Sequence, residues 1–188
     1  YDDNGNELGS DVTKLIVHKP KTTGVSMKNV LCVGDSLTQR GYWTNEVYRR
    51  FTQTGGSPAG LGLNYLNFIG TDSKNSAGVF DPNVGYEGKS GRHWEWFCGV
   101  ESPFYDNNLK NISFKSYCSR NGFDGIDIVY FLLTWNRQGT AYNTNFDLNA
   151  GQFVYARKMI DTLHKEYPNA IIRCMGIQMP SQCGGMGF

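Results

Sequence analysis

Short apolar segments, separated by helix-like sequence, constrain the fold of this chain more than any other feature. Their sequences are NVLCVG (29–34), LNYLNFIGT (63–71), GIDIVYFLL (125–133) and AIIRCMGI (170–177). Segments of this length with apolar residues on both faces are typical of strands buried inside a parallel sheet. The sequence therefore predicts a parallel sheet that is covered on both sides.

Two intervening segments carry apolar residues at helical spacing. In the first, Trp43, Val47 and Phe51 fall on one face of a helix. The second runs between residues 149 and 167, and Pro168 ends it. Strands that alternate with helices predict a flavodoxin-like, three-layer α/β/α domain with a mostly parallel sheet. Residues 71–124, which contain many Gly, Asn and Ser, are expected to form its irregular part.

The length of the chain fits one domain. With 188 residues and 39% hydrophobic content, it can bury a sizeable core. Residues 1–28 are polar, apart from a short strand-like run, and end in a connector rich in Pro, Thr, Gly and Ser. We interpret them as a lead-in segment and residues 29–188 as the domain itself.

Charge and hydropathy argue against several classes of partner. The 18 basic and 17 acidic side chains create no field that would recruit nucleic acid or anionic lipid. No apolar run approaches the roughly 18 residues that a membrane span needs. We therefore expect a soluble protein that binds no nucleic acid and spans no membrane. Because the chain begins with Tyr rather than Met, we expect it to come from a longer precursor, and its location stays open.

The five cysteines do not indicate a metal or redox site. None are spaced as Cys-x-x-Cys, so neither a zinc knuckle nor a thioredoxin-type pair is predicted. Cys32 and Cys174 stand in apolar strand segments, where a cysteine acts as a small hydrophobe. Cys98 and Cys118 flank an irregular stretch. The sequence leaves open whether they form a disulfide, since it does not show their geometry.

Gly34-Asp35-Ser36 stands directly after the first predicted strand. Ligands of such sheets bind at the carboxyl ends of the strands, so Ser36 is predicted to lie at the binding edge, where the next helix begins. Free N–H groups and the helix dipole favour negative charge there. The Ser36 hydroxyl is a candidate nucleophile, because an attacked ester develops an oxyanion that needs such donors. The alternative is that Ser36 only caps the helix.

Two further donors are predicted beyond other strands. Gly91 lies in YEGKSGRHWEWF, which follows the second predicted strand, and its missing Cβ lets another chain or a substrate approach the main-chain N–H. Asn136 lies in FLLTWNRQ and offers a side-chain amide beyond the third predicted strand. Because the strands of one parallel sheet end at the same edge, Ser36, Gly91 and Asn136 are predicted to converge on one cleft.

The order of these blocks resembles a known family. GDSL at 34–37, Ser-Gly at 90–91 and then Asn136 resemble the SGNH, or GDSL-type, hydrolases. The resemblance covers residues 29–188. It implies that Ser36 attacks an ester while its own N–H, the Gly91 N–H and the Asn136 side chain hold the oxyanion. At the third block, the usual Gly-x-Asn-Asp of the family is Thr-Trp-Asn-Arg here, so only the amide is kept.

The resemblance also implies a base, which the family carries in an Asp-x-x-His string near the end of its domain. Asp161 and His164 match the string but lie inside the helix before the fourth strand, where a solvated face is the favoured interpretation. We therefore expect the catalytic histidine to follow Phe188 in a longer chain, and this chain to be slow or inactive. For His93, two residues after Gly91, a place in the pocket wall is favoured over a role as substitute base.

Three residues in or beside the blocks are assigned to substrate binding: Asp35, His93 and Trp135. All four tryptophans lie near one of the blocks, and aromatic faces suit sugar rings. Trp43 and one of the pair Trp94 and Trp96 are nevertheless expected to belong to the core, while Trp135 is the better candidate for contact.

These features predict a serine esterase that acts on small O-acyl esters, acetyl esters above all, on a small molecule or an acetylated glycan. No metal or organic cofactor is implied. An inactive carbohydrate-binding module on the same fold is the alternative. Glu87 and Glu95 are a conceivable glycosidase pair, but ordinary surface acids are favoured. The lead-in before a GDS strand also resembles bacterial and phage surface proteins that carry this domain as a module, which implies an extracellular or surface location.

Overall fold

A computed structural model of the chain describes residues 24–73, 83–133 and 151–175. In chain order its elements are β1 (Lys28–Gly34), α1 (Ser36–Gln39), α2 (Tyr42–Thr52), β2 (Leu66–Ile69), β3 (Glu87–Gly88), α3 (Trp94–Phe97), β4 (Tyr105–Asp106), β5 (Asn111–Ile112), α4 (Phe114–Asn121), β6 (Ile128–Leu132), α5 (Gln152–Glu166) and β7 (Ile171–Cys174). No helix within these ranges combines the length and the hydropathy that crossing a bilayer requires.

The main sheet is parallel and has the order β2-β1-β6-β7. It contains all four strands that the apolar segments predict. The short strand β3 also pairs with β1, at Val33 and Gly34. Since β6 occupies one side of β1 as far as Gly34, β3 lies on the other side, in line with β2. The predicted α/β class with a mostly parallel sheet is confirmed.

Alternate side chains of β1 enter two separate cores, which makes the sheet the middle of three layers. Leu31 and Val33 pack in the larger core, and Val30 and Cys32 pack in the smaller one. The larger core includes residues of α3, α4 and α5, and the smaller core is covered by residues of α2. Both faces of β1 are therefore shielded from solvent, as its continuous apolar sequence predicts.

The expectation that residues 71–124 are irregular is wrong for much of their described part. This part contains β3, α3, the antiparallel pair β4 and β5, and α4. It also supplies fully buried aromatic residues to the larger core: Phe97, Phe104, Phe114 and Tyr117. The strands here have two residues each and α3 has four, which is too short for a periodic pattern to indicate them.

The cysteines differ from one another in their surroundings. Cys32 is fully buried in the smaller core, as expected. The same expectation is wrong for Cys174, which is exposed, as are Ile171 and Arg173 of the same strand. Cys98 and Cys118 are both buried and both free thiols, so the structure holds no bridge between them.

Gly88 allows α1 to lie directly against the end of β3. A Cβ added at Gly88 would stand 2.3 Å from the backbone nitrogen of Gln39 and 2.5 Å from its Cα. Because backbone atoms cannot rotate away, we expect Gly88→Ala to lower the free energy of unfolding by roughly 1–3 kcal/mol or more. Chemical denaturation measures this change. Gly55→Ala is the matched control, since a Cβ at Gly55 has no neighbour within 4 Å; equal losses in the two variants would contradict the prediction.

Candidate active site

Three strands end at the same level of the sheet. Gly34, the last residue of β1, is in register with Gly88, the last residue of β3, and with Leu132, the last residue of β6. The Asp35 N–H donates to the Leu132 carbonyl at 3.3 Å, and the Lys89 N–H donates to the Gly34 carbonyl at 2.9 Å. The three following segments therefore leave one edge side by side. This edge lies where strand order reverses between β2 and β6, which is where ligands bind in such sheets.

Ser36 is the first residue of α1 and is half-buried. The helix is capped by Asp35, whose Oδ1 accepts the Leu37 N–H at 2.9 Å. The alternative that Ser36 serves as the cap is therefore wrong. Within the described ranges, no hydrogen bond uses the Ser36 N–H, which is one of the donors that an anion at this edge would need. Since α1 has only four residues, individual N–H groups rather than a helix dipole would have to stabilise that anion.

Asp35, one of the three predicted substrate-binding residues, is only 1% exposed. Burial raises the pKa of its carboxyl group, although the hydrogen bond from Leu37 opposes this shift. A carboxylate that is buried and engaged as a helix cap has little surface to offer a substrate. The structure thus gives Asp35 a role in holding the first turn of α1, next to the Ser36 hydroxyl.

Gly91 occupies a tight turn just after β3. The Arg92 N–H donates to the Lys89 carbonyl at 3.1 Å and closes the turn. Gly91 is its third residue and has φ +70°, a left-handed conformation that favours glycine at this position. Gly91 is exposed, and the hydrogen bonds among the described residues leave its N–H unused. The turn therefore presents a main-chain donor at the carboxyl edge, as predicted, although it follows the unpredicted strand β3 rather than the second apolar segment.

Asn136 and Trp135 lie outside the described residues. The strand β6, which precedes both residues, does lie within the described ranges. Its last residue, Leu132, stands beside Gly34, and Asn136 follows four residues later in the sequence. The strand that precedes Asn136 is thus the immediate neighbour of the strand that precedes Ser36.

The two described histidines lie at different edges of the sheet. His93 is partly buried and directly precedes α3, two residues after Gly91. His164 is exposed in the last turn of α5. The first residue of α5, Gln152, accepts the Glu95 N–H at 3.2 Å near the candidate site, and the helix then runs back towards the start of β7. His164 therefore lies far from Ser36 along the helix, and the solvated-face interpretation of the Asp161–His164 string is confirmed.

The described tryptophans do not form an open aromatic groove. Trp94 is 7% exposed and packs on Phe131, with ring centroids 4.9 Å apart. Trp43 packs against the smaller core, as expected. The Arg92 guanidinium covers the Trp96 ring, 5.0 Å from its centroid. A face of Trp96 is therefore already in use, which weakens the case for sugar stacking at this residue.

A buried carboxyl group lies beside the candidate site and was missed by the sequence analysis. Glu87 of β3 is fully buried, and its Oε1 accepts from the Thr71 N–H at 2.8 Å, the Thr71 hydroxyl at 2.7 Å and the Tyr117 hydroxyl at 2.6 Å. Its Oε2 stands 3.9 Å from the Lys89 ammonium. The interpretation of Glu87 as a surface acid is wrong, and a glycosidase pair with Glu95 fails because a fully buried Glu87 cannot reach a sugar. Its place between Tyr86 and Gly88, inside VGYEG, is a weak signal of burial.

Burial raises the pKa of Glu87 above its ordinary value of 4.5, although the Tyr117 and Thr71 hydrogen bonds oppose the shift. The folded chain then binds this proton more tightly than the unfolded chain. The resulting stability is fully present below the unfolded pKa and is lost as the pH rises through the folded pKa. We expect the difference in the free energy of unfolding, wild type minus Glu87→Gln, to fall as the pH rises above 4.5 and through the folded pKa. Denaturant titrations across this range measure the difference; a flat or rising difference would contradict the assignment.

Comparisons of the chain with family models, curated proteins and solved structures found no match.

Proposed function

We propose that this protein is a serine esterase of the SGNH type, which hydrolyses small O-acyl esters, including acetyl groups on carbohydrate, through an acyl-enzyme. One observation carries the proposal: Gly34 is in register with both Gly88 and Leu132. Because of this register, the segments that bear Ser36, Gly91 and Asn136 start at neighbouring points of one edge. If Ser36 only formed the start of α1, the segments that bear Gly91 and Asn136 would not need to begin at the same edge.

Each group has a defined task in the proposed reaction. The Ser36 Oγ attacks the acyl carbonyl carbon and loses its proton, which passes to the departing alcohol as the ester C–O bond breaks. The oxyanion is held by the N–H groups of Ser36 and Gly91 and by the Asn136 side chain. Water then attacks the acyl-Ser36 ester, which releases the carboxylic acid and restores the hydroxyl.

Transfer of the Ser36 proton is expected to be the slow step of the proposed reaction. The proposal assigns the half-buried His93, two residues after Gly91, to the cleft wall, while the exposed His164 lies towards the opposite edge of the sheet. Neither described histidine is assigned as the base. An enzyme that has an oxyanion hole but no base beside its serine keeps only part of the rate that a complete catalytic triad gives. The proposal therefore includes slow turnover by this chain.

A fluorophosphonate probe tests the proposal, because it reacts covalently with activated serine hydroxyls. The wild-type chain should be labelled, and Ser36→Ala should not. Ser90→Ala is the matched control, since Ser90 is an exposed serine next to Gly91 and should be dispensable for labelling. Labelling that persists in Ser36→Ala would overturn the proposal. An unlabelled wild-type chain that still retains acetylated glycan on a column would favour the inactive binding module instead.

A further inference from the structure

We infer that Asp72 is a positioning residue, whose carboxylate holds the turn bearing Gly91 so that the Gly91 N–H points at the acyl oxygen. This inference rests on the proposed function, because it assigns a task within the same site. Asp72 lies three residues after the end of β2 and outside the three blocks that resemble the SGNH family.

The carboxylate of Asp72 binds the two residues at the start of the turn. Its Oδ2 accepts the Gly88 N–H at 3.0 Å, and both of its oxygens lie 2.9 Å from the Lys89 ammonium. The backbone of Asp72 is itself fixed, since its N–H and carbonyl exchange hydrogen bonds with Tyr86 at 3.0 and 2.9 Å. Asp72 thus connects a rigid bridge to the residues that lead into Gly91.

Two further hydrogen bonds hold the turn, and neither has a charged acceptor. The Lys89 N–H donates to the carbonyl of Gly34, and the Ser90 N–H donates to the Gln39 side-chain oxygen at 3.0 Å. The first bond continues the sheet and the second comes from an exposed side chain. Asp72 adds an ion pair to these bonds: its carboxylate lies 2.9 Å from the Lys89 ammonium, compared with 3.9 Å for the Glu87 carboxylate, and the Lys89 and Asp72 side chains are 28% and 26% exposed.

These contacts leave Asp72 no direct part in the chemistry. Its oxygens are occupied by Gly88 and Lys89, so it would act through the position of the turn rather than on the substrate. A donor of an oxyanion hole is effective only when it meets the oxyanion at hydrogen-bond distance. A displacement of about 1 Å can reduce the rate roughly 100-fold, so the loss of this anchor should slow acylation while leaving ester binding largely unchanged.

The chain offers a closely matched control at the other edge of the sheet. Asp127 accepts the Asn29 N–H at 2.9 Å and the Lys28 ammonium at 2.8 Å, which is also one main-chain donor and one lysine. Its side chain is 34% exposed. Asp127 precedes β6, whereas the candidate site follows it. Asp127→Ala therefore removes the same types of bond without touching the turn.

The experiment compares Asp72→Ala, Asp72→Asn and Asp127→Ala for fluorophosphonate labelling rate, for kcat and KM with an acetyl ester, and for Tm. We expect Asp72→Ala to lower the labelling rate and kcat by about 10- to 100-fold with KM nearly unchanged. Asp72→Asn, which keeps an oxygen for the Gly88 N–H, should recover most of this loss. Asp127→Ala should lower Tm without slowing labelling.

Two results would overturn the inference while the proposed function stands: Asp72→Ala is labelled at the wild-type rate, or Asp127→Ala is slowed as much as Asp72→Ala. A wild-type chain that is not labelled at all would overturn the proposed function, and this inference with it.

Discussion

Ser36→Ala is expected to lower kcat/KM for a small acetyl ester by at least about 100-fold. Removing the nucleophile from a complete triad has a far larger effect, roughly 10⁶-fold, but here no matched base is assigned and the starting rate is low. The fold should be unaffected, because Asp35 rather than Ser36 caps α1 and Ser36 is only half-buried. Hydrolysis of a chromogenic acetyl ester measures the loss, and Tm measures the fold.

Ser90→Ala serves as the control for this substitution as well, since it also removes one hydroxyl near the turn. It should keep nearly all of the activity. Equal activities of Ser36→Ala and wild type, at equal Tm, would mean that the observed hydrolysis comes from another group and that Ser36 has only a structural role.

Phe104→Ala is expected to lower the free energy of unfolding by about 3–5 kcal/mol. Phe104 is fully buried, and its ring centroid lies 4.7 Å from that of Phe114, 4.9 Å from that of Tyr117 and 5.9 Å from that of Phe97. Its removal would leave a cavity among rings that are themselves buried and cannot easily close the gap. Denaturant unfolding at neutral pH measures the change.

Leu109→Ala is the control for Phe104→Ala. Leu109 lies in the same segment but is 62% exposed, so its truncation should change the free energy of unfolding by less than about 0.5 kcal/mol. A small effect of Phe104→Ala, similar to that of Leu109→Ala, would contradict the packing of residues 83–123 as an integral part of the larger core.

The fold class could be predicted from the sequence because the central strands are long enough to show their burial. Val30 to Val33 are all buried, so the apolar sequence of β1 directly reflects two covered faces. The helices α2 and α5 have 11 and 15 residues, which is enough for helical spacing to appear in the sequence. The predicted segments accordingly match the observed elements, apart from their ends.

Residues 83–123 could not be predicted in the same way. Their elements are fixed by long-range contacts, as in the hydrogen bond from Tyr117 on α4 to Glu87 on β3. A two-residue strand has no period, and the burial of Glu87 depends on Thr71 and Tyr117, which are distant in sequence. Local sequence carries little information about such contacts.

The candidate site was predictable in part. Ser36 could be placed at the carboxyl edge because it directly follows a predicted strand, and ligands of such sheets bind where the strands end. The missing Cβ of Gly91 is visible in the sequence. By contrast, the pairing of Gly34 with Gly88 and with Leu132 depends on the register between strands. The sequence does not specify this register, because the strands are far apart along the chain. The anchor at Asp72 was missed for the same reason, since it lies 16 residues from Gly88.

The central claim is that Ser36 becomes acylated, and mass spectrometry of the chain quenched during hydrolysis of an activated acetyl ester tests it most directly. The account predicts an added acetyl group on the peptide that contains Ser36, present in the wild type and in Ser90→Ala and absent from Ser36→Ala. An acetyl group found on another residue, or hydrolysis that proceeds with no acetyl group on Ser36, would contradict the account.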